Sequence, residues 1–246
     1  MSEKSVLILG ATSDIGIALA KKFLKDNFSV QLASRNLHSL KNLQKTLLAQ
    51  NLSSKVTIHR FDVLESRNYE NFVKRLPTLP EIAICLIGSM GSQKQSEKNL
   101  AQSISLIRTN FEGPASILNL LANDFENRGS GLLVGISSVA GERGRGSNYI
   151  YGSSKAGFTA FLSGLRSRLA SKNVHVLTVI PGYMNTKMTR ELRLPSVLTS
   201  SSQVVAKKIY DAIKKRKNVI YVNGLWFYIM LFIKIIPEKF FKKLHI

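Results

Sequence analysis

A chain of 246 residues with 44% hydrophobic side chains fits one α/β domain with a sizeable core. A single cysteine, Cys85, excludes an internal disulfide and suits a reducing compartment, and four scattered histidines without Cys or carboxylate clusters around them exclude a metal site. Against 15 Asp plus Glu stand 35 Lys plus Arg; the formal charge of +20 implies an anionic partner, whether nucleic acid, acidic lipid or a phosphorylated ligand.

The opening Met-Ser-Glu-Lys lacks the order of a signal peptide, so a cytoplasmic protein is expected. Residues 5–9 are a short apolar run that ends in Gly10-Ala11-Thr12-Ser13-Asp14-Ile15-Gly16, after which Ile17, Ala18, Leu19, Phe23 and Leu24 keep a helical pattern. This strand, Gly-rich turn and helix lets the backbone approach a dinucleotide pyrophosphate at a helix N-terminus. The same residues also suit a purely structural turn.

A second strand, from Ser29, ends at Ser34-Arg35-Asn36, where a carboxylate is expected if a ribose 2′-hydroxyl is read. Arg35 suits a 2′-phosphate instead, which favours NADP(H) and leaves NAD(H) open; the alternative is a solvated side chain. Leu37, Leu40, Leu43, Leu47 and Leu48 mark an amphipathic helix, and residues 55–61 a third strand that stops at Asp62-Val63, with Asp62 placed beside an adenine. Ile82 to Ile87 is a continuous apolar run, as in the buried middle of a parallel sheet, opening into the Gly88-Ser-Met-Gly91 turn.

Residues 96–127 read as helices, with Asn110 just before Gly113-Pro114, a position for a turn or for a polar side chain holding a water near the cleft. Residues 132–136 form the fifth strand and carry Ser138 at its C-terminal end, the edge at which open α/β sheets bind ligands. Tyr151 and Lys155, four residues apart, share one face of a helix if Tyr151 opens it; Tyr149, six residues from Lys155, does not. An ammonium about 5 Å from the phenol at an effective dielectric of about 20 contributes roughly 3 kcal/mol, which would bring the Tyr151 pKa toward neutrality.

Residues 174–180 make the sixth strand, closed by Pro181-Gly182 and followed by Thr186, whose hydroxyl and backbone suit a nicotinamide amide or a phosphate. A helix over 204–217 and a strand from Asn218 complete an alternating pattern without repeats. The expected fold is α/β, a Rossmann-type doubly wound, mainly parallel seven-stranded sheet with helices on both faces. Residues 1–223 would form the dinucleotide-binding domain with the catalytic site, and 224–246 an apolar and basic tail.

Taken together, Gly10 to Gly16, Asp62-Val63, Asn110, Ser138, Tyr151-x-x-x-Lys155 and Pro181-Gly182 resemble the short-chain dehydrogenase/reductase family over residues 4 to about 222. The resemblance implies an oxidoreductase in which Ser138 holds a substrate carbonyl oxygen and Tyr151 passes it a proton. Lys155 would bind the nicotinamide ribose and lower the Tyr151 pKa, and Asn110 would support a proton-relay water. It also implies a homodimer or homotetramer. Two departures stand out: Asp14 replaces the family's usual middle glycine, and Cys85-Leu-Ile-Gly88 replaces its Asn-Asn-Ala-Gly.

Both departures, with the ending from Val219 through Trp226 to Ile236-Pro-Glu, are similar to a narrower branch that includes a decaprenylphosphoryl-2-keto-pentose reductase, whose substrate is a lipid-linked keto-sugar. The apolar run Leu225 to Ile233 is too short to span a bilayer, and Lys234, Lys239, Lys242 and Lys243 follow it. Peripheral membrane contact through 225–246, at the inner face of the membrane, is therefore expected, against packing on the domain or on a second subunit. A catalytically silent dinucleotide-binding regulatory or scaffold protein is the alternative function. No base-reading module or aromatic platform accompanies the dispersed charge, so no specific nucleic acid is expected.

Overall fold

The computed structural model describes residues 4–49, 55–185 and 195–244. The first half of the chain runs β1 (Ser5–Leu9), α1 (Asp14–Lys25), β2 (Ser29–Ser34), α2 (Leu37–Leu48), β3 (Val56–Arg60), α3 (Tyr69–Lys74), β4 (Ile82–Cys85), α4 (Gln93–Lys98) and α5 (Leu100–Ile107). The second half runs α6 (Gly113–Arg128), β5 (Gly131–Ile136), α7 (Tyr149–Leu169), β6 (Val174–Ile180), β7 (Tyr183–Asn185), β8 (Thr199–Ser201), α8 (Ser202–Lys214), β9 (Val219–Tyr221), α9 (Leu225–Ile235) and α10 (Glu238–Phe241).

Among the described residues, seven strands form one sheet in the order β3-β2-β1-β4-β5-β6-β9, every pair parallel. The expected Rossmann-type sheet is the observed one. Successive side chains of β1 point to opposite faces, so Val6 and Ile8 pack with α1, α2 and α8, while Leu7 and Leu9 pack with α3, α6 and α7. Cover on both faces explains why β1 and β4 are apolar without alternation.

Local chemistry fixes the element ends nearest the site. The Ser13 side chain accepts from the Gly16 amide at 3.1 Å and donates to the Gly10 carbonyl at 2.8 Å, which caps α1 and closes the turn after β1. Between α5 and α6 the helix does not turn: residues 108–112 form a π-helical step that carries Asn110 inward, fully buried. Of the two readings of Asn110, a turn residue or a polar side chain near the cleft, the continuous helix removes the first. A Cβ on Gly113 would lie 2.3 Å from Val63 Cγ2, so the start of α6 packs tightly under the Asp62-Val63 segment.

Candidate active site

Strand order reverses between β1 and β4, and the crevice above their C-terminal ends is the place where open α/β sheets bind ligands. Gly10 adopts φ +84° there, and a Cβ on it would stand 3.3 Å from the Ile87 amide, so only glycine lets the two strand ends come this close. A cavity of about 200 Å³ opens beside them, lined by Ser13, Asp14, Ile15, Gly88, Tyr151 and Lys155, with Leu86 and Met184 among its apolar walls.

Asn110 braces this crevice from below. Its Nδ2 donates to the Ser89 carbonyl at 2.7 Å and to the Leu106 carbonyl at 2.8 Å, while its Oδ1 accepts from the Ser89 amide at 3.0 Å. All the hydrogen bonds seen for the side chain thus go to backbone, and they set the path of the chain after Gly88. A Cβ on Gly88 would sit 2.9 Å from Asn110 Oδ1 and 3.2 Å from Lys155 Nζ.

Helix α7 begins two residues before Tyr151, so Tyr151 is inside its first turn instead of opening it. The face assignment is unaffected: Tyr151 and Lys155 both line the cavity, and Tyr149 is exposed. Ser138 leaves β5 in extended backbone and caps a short 3-10 turn, its Oγ accepting from the Ala140 amide at 3.1 Å. The Ser138 hydroxyl is close enough to the Tyr151 phenol to favour its ionised form. Hydrogen bonding holds the helix to the strand, where Ser137 Oγ meets the Lys155 carbonyl at 3.1 Å and Thr159 Oγ1 at 2.5 Å.

Lys155 is 4% exposed, and its Nζ donates to the Ile136 carbonyl at 2.9 Å. Burial, which penalises the ammonium, brings its pKa down to about 8. The Tyr151 phenol is raised above its ordinary value by burial, opposed by the hydrogen bond from Ser138. This corrects the expectation that Lys155 lowers it. Nζ is engaged with Ile136 and lies 5.9 Å from the ring centroid, and burial of the phenol sets the direction, with Ser138 the one group that opposes it.

The remaining expected positions divide. Thr12 and Ser13 lie in the turn before α1, and Asp14 and Ile15 in its first turn. Arg35 is exposed just beyond β2, whose Ala33 carbonyl accepts from the Gly10 and Ala11 amides. Asp62 uses Oδ1 on the Leu64 amide at 3.0 Å, and the Val63 carbonyl takes the Tyr69 hydroxyl at 2.5 Å. The Pro181 carbonyl accepts from the Val139 amide at 3.0 Å, tying β6 to the Ser138 segment. Thr186 lies outside the described residues.

The tail reaches the site as well. A Cβ on Gly182 would fall 1.9 Å from Trp226 Nε1, and that indole donates to the Leu198 carbonyl at 3.0 Å. Arg143, in the segment between Ser138 and Tyr151, donates to the Lys234 carbonyl at 3.0 Å, the Ile236 carbonyl at 3.2 Å and the Glu238 carboxylate at 2.6 Å. These contacts join residues 91 to 95 positions apart, and no local pattern announces them. Met184 likewise carries no motif; only its place two residues after Gly182 could have suggested it.

Residues 4–196 match the family model described as short chain dehydrogenase. The chain belongs to the short-chain dehydrogenase family. It is similar to an uncharacterized oxidoreductase of Streptomyces coelicolor, 30% identical over 244 residues, covering 98% of this chain and 96% of the relative. An uncharacterized oxidoreductase of Mycobacterium tuberculosis is 31% identical over 222 residues, covering 88% and 87%. Among solved structures, a short-chain dehydrogenase from Burkholderia cenocepacia in complex with NADP superposes with TM-score 0.80 at 16% identity, over 95% of this chain and 94% of that one. One from Sphingobium yanoikuyae in complex with NADPH gives 0.79 at 21%, over 96% and 97%. As a short-chain dehydrogenase/reductase the protein is an oxidoreductase acting on a CH–OH/C=O pair with NAD(P).

Proposed function

We propose that this short-chain dehydrogenase is an NADP(H)-dependent reductase of a ketone, and the observation that carries the reading is Tyr151 lining the switch crevice together with the buried Lys155, one turn apart on α7. The crevice fits a dinucleotide. Gly10 keeps the backbone open, Ser13, Asp14 and Ile15 bring the start of α1 to the cavity wall, and Gly88 leaves room next to Lys155 Nζ. Arg35, exposed at the end of β2, suits a 2′-phosphate, and structural neighbours carrying NADP or NADPH support an NADP preference. Asp14 opposes it mildly, because its charge occupies the helix end at which a diphosphate would sit.

Bound NADPH supplies the hydride. Ser138 Oγ accepts from Ala140, which leaves its own proton free to be donated to a substrate carbonyl oxygen instead of to Tyr151. Tyr151, kept protonated at neutral pH by its raised pKa, gives that oxygen its proton, and Lys155 remains an ammonium at pH 7 within reach of the nicotinamide ribose. Asn110 fixes the Gly88-Ser89 backbone that forms one wall. The finer reading is a lipid-linked keto-sugar handled at the inner face of a membrane, supported by the resemblance of the ending to the keto-pentose reductase branch.

The test follows NADPH absorbance with candidate ketones. Tyr151→Phe is expected to lose about 10²–10⁴-fold in kcat/KM, the range for removing a general acid, with NADPH affinity retained. Undiminished turnover in that variant removes Tyr151 from the chemistry and the proposal with it.

A further inference from the structure

Helix α9 is apolar on two opposite faces, and the domain uses only one. Trp226, Ile229, Met230 and Ile233 turn inward and pack with Val139, Ile180 and Tyr183. Leu225, Tyr228, Phe232 and Ile235 step along the other side at helical spacing and are 48%, 68%, 65% and 69% exposed. Phe240 of α10 extends the stripe at 61%. A surface helix with one core-facing side ordinarily carries polar residues on the other, and a contiguous exposed apolar patch marks a contact.

Charge selects the occupant. Residues 224–246 hold four lysines and one carboxylate, Glu238, which is engaged by Arg143 at 2.6 Å. Lys239, Lys242 and Lys243 are exposed beside Phe240. A two-fold contact with a second copy would set this basic cluster near its own image, in a chain of net charge +20. An anionic surface meets the aromatic stripe and the lysines together.

We infer that the outer face of α9, with α10, docks on an anionic lipid bilayer. The stripe sits at the headgroup boundary and the lysines meet lipid phosphates. The helix lies in the interface: among the described residues none is long and apolar enough to cross a membrane. Docking stands on this surface alone, and its consequence for catalysis rests on the reading of a lipid-linked substrate. Arg143 fastens the end of α9 and stacks 4.2 Å over the Phe241 ring, and Glu142 meets Lys234 at 3.1 Å. The docked face is thereby tied to the segment joining Ser138 and Tyr151, which holds the site at the lipid surface.

The experiment is co-sedimentation of the full chain with phosphatidylglycerol–phosphatidylcholine vesicles and with phosphatidylcholine alone, in physiological salt. The chain should partition onto the anionic vesicles. Phe232→Ser with Ile235→Ser should reduce that at least tenfold, and so should Lys239→Gln with Lys242→Gln and Lys243→Gln, each with NADPH affinity and melting temperature close to wild type. Three results overturn the inference: no binding of wild type to anionic vesicles, equal binding by the stripe variant, or a wild-type dimer in solution that the stripe variant dissociates without a change in binding. Turnover of a water-soluble ketone separates this inference from the functional one. Intact vesicle binding without any NADPH-dependent turnover leaves the docking and removes the reductase.

Discussion

Helix α7 takes an ammonium inside, whereas α9 leaves aromatic and aliphatic side chains outside. Lys155 is 4% exposed in a pocket where burial lowers its pKa to about 8; Tyr228 and Phe232 are 68% and 65% exposed. Each arrangement costs free energy in the isolated chain, through desolvation in α7 and through hydrated apolar area in α9. Each is therefore informative where an ordinary amphipathic helix is not. Helix α8, with Val205, Ile209 and Ile213 inward and Lys207, Lys208 and Lys214 outward, obeys the usual division and points to nothing beyond packing. The two exceptions also differ in kind, since a buried charge acts on something small enough to enter the crevice and an exposed stripe on something large enough to cover it.

The sharpest way to break the comparison is to substitute the two faces of α9 separately. Trp226→Ala removes an indole packed against Gly182 and Tyr183 and should cost about 3–5 kcal/mol in a denaturant melt. Phe232→Ala on the outer face should stay within about 0.5 kcal/mol. Similar losses at both positions would mean that the outer face is covered within the fold after all.

On the α7 side, Lys155→Met tests whether the buried ammonium is a stability burden. The folded pKa lies near 8 and the ordinary value is 10.5, so the unfolded chain binds more protons between them and wild-type stability gains as pH rises through that window. The full penalty, about 3 kcal/mol, is present below pH 8 and is gone above about 10.5. Urea melts of both proteins from pH 7 to 10 should show wild type gaining on the methionine variant. A constant difference refutes the assignment.

The smallest effect belongs to a cation that follows the ordinary rule. Arg35 is exposed, and its meaning comes from its place at the end of β2. Arg35→Ala should weaken NADPH binding by about ten- to a hundredfold, the worth of one charge-assisted contact, and leave NADH binding nearly unchanged. Equal losses for the two nucleotides refute the 2′-phosphate contact.

Much of this was legible in the sequence for a physical reason: the sheet and the crevice are built from short-range patterns. Apolar runs, the Gly10 to Gly16 turn and the four-residue offset of Tyr151 and Lys155 each report on a few neighbouring residues, and the parallel sheet brings them together in a fixed way. Periodicity failed at α9 because a run apolar all round has no face to read; only the domain surface chooses Trp226 and Met230 as the inner side. At Asn110 it gave the helical run but not the π-helical step, which leaves no compositional trace. The direction of the Tyr151 shift was missed because spacing supplies the lysine but not the depth of burial or the carbonyl of Ile136 that engages it.

The fork of Arg143 also sets an order of manufacture. Its partners lie 91 to 95 residues further along the chain, so the segment between Ser138 and Tyr151 stays unfastened while that stretch is still being translated. At about 5–20 residues per second the wait is on the order of 5–20 s. A ribosome stalled inside α9 would therefore hold a nascent protein with its sheet, its crevice and both hydroxyls already synthesised and the fastening of the loop between them still missing.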